Sequence, residues 1–133
     1  MNILLFEKIM RPVLPLLFSV WMVLLMYLTI APPSMIKAAS SFINPGLGHV
    51  ILFGGWTVLL GFTLIINLKK IDVSLLLLWV AGVGFGAIIE ILQLVLPYGR
   101  QGSVTDVLLN AVGCTIAVLI LSFYRRLRSP YVS

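Results

Sequence analysis

A glutamate lies inside a long apolar stretch of this chain, where lipid would make an ionisable side chain costly. Glu90 is the only charged residue between positions 73 and 96, and Gln93 follows it on the same helical face. Ionisable groups at membrane depth usually face the interior of a helix bundle, where they serve a binding site, a proton relay or a partner helix. Glu90 and Gln93 are therefore the first candidates for chemistry.

A second polar series follows a short link that contains Arg100. Its members are Ser103, Asp106 and Asn110, spaced three and four residues apart. Residues at this spacing share one face of a helix. The chain therefore offers two polar helix faces, one on each side of the link.

The elements that carry these faces must be membrane helices. The chain of 133 residues is 61% hydrophobic and only 10% charged, which exceeds the apolar share of soluble domains. A helix needs about 20 apolar residues to cross the roughly 30 Å of hydrocarbon. Four runs meet this length, at about 13–30, 49–68, 73–96 and 104–124. We predict an all-α, multi-pass protein with a single four-helix transmembrane domain over 1–133, and a turn-rich loop between the first two runs.

A tight turn at 97–102 would place the two polar faces side by side. In an antiparallel hairpin, Gln93 falls level with Asp106, and Glu90 falls level with Asn110. The buried hydrophilic edges then meet in a pocket near one side of the membrane. We predict a site for a polar or anionic ligand in this pocket.

Small residues continue the same two faces away from the turn. Gly82 and Gly86 lie on the third apolar run, and Gly113 and Ala117 lie on the fourth. Small residues let helix backbones approach closely in lipid, where helices associate through packing and interhelical hydrogen bonds. We assign these four residues to helix packing, with Gly86 opposite Gly113 and Gly82 opposite Ala117.

Basic residues lie at the ends of the apolar runs and are distributed unequally between the two sides. Two of them, Lys37 and Arg100, fall on one side. The other seven fall on the opposite side and are Lys8, Arg11, Lys69, Lys70, Arg125, Arg126 and Arg128. Because the more basic side is normally cytoplasmic, we predict cytoplasmic N and C termini, a location in the cell membrane and a pocket in the outer leaflet. The net charge of +5 then reflects topology, and no nucleic acid partner is predicted.

His49 begins the second apolar run and starts at the same outer face as the pocket. With it, the sequence offers seven candidate ligand-binding residues. They are His49, Glu90, Gln93, Arg100, Ser103, Asp106 and Asn110.

Most of these candidates also have a purely structural interpretation. Ser103 and Asp106 match a pattern that caps helix N-termini. Asn110 could bridge two helices, and Arg100 could be an anchor at the membrane interface. Glu90 is the hardest to explain in this way, because a charge at mid-helix costs at least ~2.5 kcal/mol on insertion scales.

Local motifs of cofactor and metal sites are absent from the sequence. It has no glycine-rich phosphate loop, no zinc-ligand spacing and no serine-histidine triad spacing. Cys114 is the only cysteine, so one chain can form neither a disulfide nor a cysteine-based metal site. We predict no cofactor and no metal.

The polar spacing resembles the signature of VanZ-like membrane proteins. The residues that carry this resemblance are Gly86, Glu90, Gln93, Pro97, Arg100, Ser103, Asp106, Asn110 and Gly113. Residues 27–32 also resemble the end of the family's first helix, and His49 with Phe53 resembles the start of its second. The resemblance implies a bacterial cell envelope and an effect on sensitivity to the glycopeptide teicoplanin, by a mechanism that it does not specify. It assigns no catalytic residue.

Three classes of function fit these observations. The leading hypothesis is a cavity for a polar or anionic lipid-linked group, either a membrane lipid or an envelope precursor, with Arg100 and His49 at the anionic head. The second is a membrane-embedded enzyme on a lipid-linked substrate, with Glu90 and His49 as acid and base. The third is an accessory subunit of a larger membrane complex, in which the polar faces only hold helices together. A homo-oligomer is left open.

Overall fold

Helices are the only regular secondary structure in residues 3–40 and 44–128, the part of the chain that this computed structural model describes. Five helices follow one another along the chain. They are α1 (Ile3–Ile30), α2 (Pro33–Ser40), α3 (Pro45–Phe62, continued by a π-helical turn at Thr63–Asn67), α4 (Leu75–Val95) and α5 (Val104–Arg128).

Four of these helices are long and apolar enough to cross a membrane, namely α1, α3 with its π-helical turn, α4 and α5. Large apolar side chains such as Val23, Leu76 and Leu119 are exposed on their surfaces. This exterior suits lipid, whose tails are as apolar as leucine. The prediction of an all-α fold with four transmembrane helices is confirmed.

The first transmembrane helix begins at Ile3, instead of near position 13 as predicted. Pro12 and Pro15 lie inside it, and a proline removes the amide that would donate to the carbonyl four residues earlier. For Pro15 that carbonyl belongs to Arg11, and Asn67 Nδ2 donates to it at 2.6 Å instead. A side chain at the end of the π-helical turn thus replaces a missing helical hydrogen bond, which lets α1 continue through the proline.

The segment between α1 and α3 is more helical than the predicted loop. Pro33 begins α2, since a residue without an amide proton is tolerated in the first helical turn. Asn44 caps α3 by accepting a hydrogen bond from the Gly46 amide at 2.9 Å, and Pro45 is the first helical residue. This earlier start places His49 in the second turn of α3, within a rigid element.

Helix α5 packs against both α3 and α4, and its contact with α3 is the more extensive. Two glycines permit this contact. A Cβ atom at Gly54 would lie 2.9 Å from the Gly113 carbonyl oxygen, and a Cβ atom at Gly113 would overlap the carbonyl oxygen of Val50. Ala117, one turn beyond Gly113, is also buried. The backbones of α3 and α5 therefore touch directly.

The contact between α4 and α5 has a different register from the predicted one. Gly86 lies against Asn110, and Gly82 lies against Cys114. Gly82 and Gly86 thus meet α5 about one helical turn away from the small residues expected opposite them. The reason is that Gly113 turns its face to α3, which leaves the neighbouring face of α5 for α4.

A buried ion pair joins the start of α1 to the end of α5. Glu7 is only 5% exposed, and Tyr124 Oη donates to its Oε1 at 2.6 Å. Arg128 Nε lies 2.6 Å from the same oxygen, and Arg128 Nη2 donates to Oε2 at 3.1 Å. Glu7 was not among the predicted functional residues, because it precedes the first apolar run. Pro12 and Pro15 also make the sequence around it look unfavourable for a continuous helix.

Candidate functional site

His49 lies among three polar side chains that come from two other helices. Its Nδ1 atom is 3.1 Å from Asn110 Oδ1 and 3.7 Å from Glu90 Oε1. Its Nε2 atom is 3.6 Å from Asp106 Oδ2. The imidazole ring stacks in parallel with the ring of Phe53, with 6.2 Å between the ring centroids. Helices α3, α4 and α5 thus bring four of the seven candidate residues to one point, which we call the His49 cluster (His49, Glu90, Asp106 and Asn110).

Glu90 is the most constrained carboxylate of the His49 cluster, with 4% of its surface exposed. Its Oε2 atom accepts a hydrogen bond from the backbone amide of Ser103 at 3.0 Å. Its Oε1 atom is buried and has no hydrogen-bond partner among the residues that the structure describes. The link after α4 folds back to deliver this amide, with a positive φ of 71° at Gly99 and with Gly102 packed against the Glu90 carbonyl. Ser103 therefore contributes its backbone amide.

Asn110 is the deepest member of the His49 cluster and is fully buried. Gly86 leaves the space that its amide group occupies, because a Cβ atom there would collide with Asn110 Nδ2. The oxygen of the amide faces His49. Its nitrogen has no hydrogen-bond partner in the described part of the chain. Asn110 is thus positioned to orient the imidazole ring.

Two other candidates, Gln93 and Arg100, donate hydrogen bonds to backbone carbonyls at the end of α1. Gln93 Nε2 donates to the carbonyl of Thr29 at 2.6 Å. Arg100 Nε donates to the carbonyl of Ala31 at 2.9 Å, and its Nη2 donates to that of Leu28 at 2.7 Å. The last turn of a helix leaves carbonyls without helical partners. Gln93 and Arg100 satisfy three carbonyls at the end of α1 and hold that end against the His49 cluster.

Arg100 is half-buried and remains a cation. Burial lowers the pKa of its guanidinium, and the negative charge of Glu90 acts in the opposite direction and raises this pKa. Arginine titrates so far above neutral pH that such shifts leave it protonated. The guanidinium is therefore a fixed positive charge near Glu90.

A cavity of about 350 Å³ opens between α1 and α3 next to the His49 cluster. Its polar lining comes from His49 and Arg100 together with Thr29 and Asn44, and most of its remaining wall is apolar. The apolar lining includes Trp21, Leu24, Leu28, Ile51 and Leu52. The cavity is thus amphipathic, with positive charge at one end.

The same chain matches a known family over nearly its whole length. The sequence model of the VanZ/LLP1 family aligns with residues 2–125. The chain belongs to the VanZ/LLP1 family. The resemblance inferred from the polar spacing is confirmed, and this VanZ/LLP1 chain, with four helices able to cross a membrane, is a multi-pass membrane protein. No curated protein and no solved structure matches it.

Parts of this VanZ/LLP1 site had no signal in the sequence. Leu28, Thr29 and Ala31 take part through their backbone carbonyls. Every residue type has such a carbonyl, so the side chains gave no indication that these three accept hydrogen bonds. One signal was available. A helix that ends at consecutive prolines leaves carbonyls in need of donors, and Arg100 and Gln93 were donors without assigned partners.

Proposed function

We propose that this VanZ/LLP1 protein binds a lipid with an anionic head group. The head group lies at Arg100 and His49, and the hydrocarbon chain follows the apolar wall between α1 and α3. One observation carries the proposal, namely a cavity of about 350 Å³ with a fixed cation at one end and apolar side chains along most of the rest. Ligand pockets of roughly 300–1,000 Å³ with few polar groups are typical of small-molecule sites.

Arg100 is prepared to receive an anion before the ligand arrives. A guanidinium matches the geometry of phosphate and carboxylate. Two nitrogens of Arg100 are already held by the carbonyls of Leu28 and Ala31. Fixing a long side chain in advance removes part of the ordering cost of binding. This favours Arg100 as the anchor of the head group.

The apolar wall suits a hydrocarbon chain. Trp21 lines the cavity two helical turns before Leu28 and donates from Nε1 to the carbonyl of Leu52 at 2.9 Å. Leu24 and Leu28 continue the wall along α1 toward the cationic end. From Trp21 to Leu28 this wall extends about 10 Å at 1.5 Å per residue. An acyl or isoprenoid chain can therefore lie along α1 with its head at Arg100.

The distribution of basic residues supports an outer-leaflet position for this cavity. Arg100 lies on the side with two basic residues, opposite the side with seven, and the more basic side is normally cytoplasmic. The proposed arrangement has cytoplasmic termini and a cavity that faces the exterior of a bacterial cell membrane. A membrane phospholipid and a lipid-linked envelope precursor both carry a phosphate and would be recognised alike. The family resemblance implies an effect on teicoplanin sensitivity. If the bound lipid is an envelope precursor, expression of this protein should therefore alter the teicoplanin sensitivity of a sensitive host.

Gly48→Phe is expected to expel the lipid from the cavity. Gly48 lines the cavity, and a Cβ atom there would meet no described heavy atom within 4 Å, so the ring can occupy the space of the ligand without displacing a helix. Lipid retained after extraction in mild detergent, measured by native mass spectrometry, should fall at least roughly tenfold, which corresponds to about 1.4 kcal/mol of binding energy.

Gly84→Phe is the matched control. Gly84 is an exposed glycine of α4 whose added Cβ atom would also meet no described atom within 4 Å, and both substitutions remove a glycine from a helix. Gly84→Phe should retain lipid like the unmodified protein. Equal lipid content in Gly48→Phe and Gly84→Phe would show that the cavity is not the binding site. The mass of the released lipid distinguishes a phospholipid from an envelope precursor.

A further inference from the structure

We propose that His49, Glu90 and Asp106 together bind one divalent transition-metal cation of the zinc type. The three side chains come from α3, α4 and α5, and one possible ligand atom of each lies within 4.8 Å of the others. This inference goes beyond the proposed lipid binding and does not depend on it. It also differs from the sequence prediction of no metal, which rested on local spacing alone.

The donor atoms and their separations suit such an ion. One imidazole nitrogen and two carboxylate oxygens are ordinary zinc ligands, and in a tetrahedral site with bonds of about 2.1 Å the ligand atoms lie roughly 3.4 Å apart. Glu90 Oε1 lies 3.7 Å from Nδ1 of His49, and Asp106 Oδ2 lies 3.6 Å from Nε2, and both separations are too long for hydrogen bonds. With one ring nitrogen as the ligand, the three ligand atoms lie within 4.8 Å of one another, so the side chains would have to close by up to about 1.4 Å around a cation.

A buried oxygen without a partner provides independent support. Glu90 is 4% exposed, and its Oε1 atom faces His49 without a hydrogen bond from any described residue. Buried polar atoms are nearly always satisfied, so an unpaired one calls for an ion or a water molecule. A cation between Glu90 and His49 would satisfy this oxygen.

Groups around the three proposed ligands orient their side chains by hydrogen bonding, as the residues that surround the ligands do in metal sites. A ligating histidine usually donates its other ring N–H to an oxygen, which fixes its tautomer. Nδ1 of His49 lies 3.1 Å from Asn110 Oδ1, so donation there leaves Nε2, the nitrogen beside Asp106, free to bind the ion. The Ser103 amide holds Glu90 Oε2 and presents Oε1.

Charge and access also fit a divalent cation. The carboxylates of Glu90 and Asp106 can neutralise its two charges. The side chain of Asp106 is 28% exposed and lies in the first turn of α5, so an ion can enter from the end of the bundle. Three protein ligands leave the fourth position of a tetrahedral ion for water or an anion.

The test measures zinc bound to the purified full chain. His49 is the only histidine, so the protein carries a purification tag without histidine. Chelator-treated protein is dialysed against micromolar Zn²⁺ and analysed by inductively coupled plasma mass spectrometry. We expect one zinc ion per chain and an affinity at least roughly tenfold lower in Asp106→Asn, since even outer-group changes weaken metal sites by about 10–100-fold. Asp72→Asn, a change of an exposed carboxylate between α3 and α4, should bind like the unmodified protein.

Nitrogen-15 NMR of the single histidine gives a second readout that does not require a variant. Zn²⁺ should shift the Nε2 signal of His49 while Nδ1 stays protonated. An unshifted histidine signal, an absence of stoichiometric zinc, or equal affinities in Asp106→Asn and Asp72→Asn would overturn the proposal. Zinc binding is measured on delipidated protein and lipid retention on chelator-treated protein, so the two proposals can fail separately.

Discussion

Glu7→Ala is expected to destabilise the folded protein by about 3–5 kcal/mol, the usual cost of removing one partner of a buried ion pair. Arg128 would lose both of its contacts with the carboxylate, and Tyr124 would lose its acceptor. These groups join the start of α1 to the end of α5. Unfolding in mixed micelles of mild detergent and dodecyl sulfate, followed by circular dichroism, measures the change in the free energy of unfolding.

A variant that removes the whole network separates an unpaired charge from a general loss of packing. Glu7→Leu combined with Arg128→Leu and Tyr124→Phe should recover most of the stability, because replacing a buried ion pair with apolar groups is often neutral. Asp72→Ala, at an exposed carboxylate, should have little effect. A Glu7→Ala protein as stable as Asp72→Ala would mean that the ion pair does not hold the helices together.

Gly113→Ala is expected to separate α3 from α5. The added methyl group would overlap the Val50 carbonyl oxygen and approach the Gly54 amide nitrogen to 3.0 Å. Both obstacles are backbone atoms, so no side-chain rotation can relieve the clash. Overpacking of this kind typically costs about 1–3 kcal/mol. Because α3 carries His49 and α5 carries Asp106, the same change should also weaken lipid retention and zinc binding.

Gly84→Ala is the control for Gly113→Ala, since Gly84 is an exposed helical glycine that has open space around an added Cβ atom among the described residues. It should leave stability unchanged or raise it by up to about 1 kcal/mol, the difference in helix propensity. Thermal unfolding in detergent and native mass spectrometry of retained lipid compare the two variants. If Gly113→Ala unfolds and retains lipid like Gly84→Ala, the close contact of α3 and α5 does not set the site.

The members of the candidate site and their common side of the membrane could be named from the sequence, but the contacts between them could not. Glu90, Asp106 and Asn110 stand out because polar side chains are costly in apolar helices. Their common neighbour, His49, is 61 residues away from Asn110 in the chain. Only the packing of α3 against α5 brings His49 and Asn110 together. Spacing along a single helix therefore gave no sign of a three-helix metal site.

The roles of Arg100 and Gln93 show a second limit of sequence reasoning. Their residue types favour ligand binding, and the sequence places both in the pocket. Their hydrogen bonds go to the carbonyls of Leu28, Thr29 and Ala31. Residue type does not show which backbone carbonyls need a donor. That the end of α1 uses the donors of Arg100 and Gln93, which a ligand could also use, is therefore visible only in the tertiary structure.

The sequence by itself determined that this chain forms four apolar helices and which polar residues interrupt them, because hydropathy and helix length are properties of contiguous segments. The VanZ-like spacing is likewise a property of one stretch of chain. Which faces meet was decided by the tertiary structure. In lipid, apolar surface does not distinguish one helix pairing from another. A few small residues therefore determine which helices pack together. Gly54 and Gly113 bring α3 onto α5, and that contact places His49 between Glu90 and Asp106.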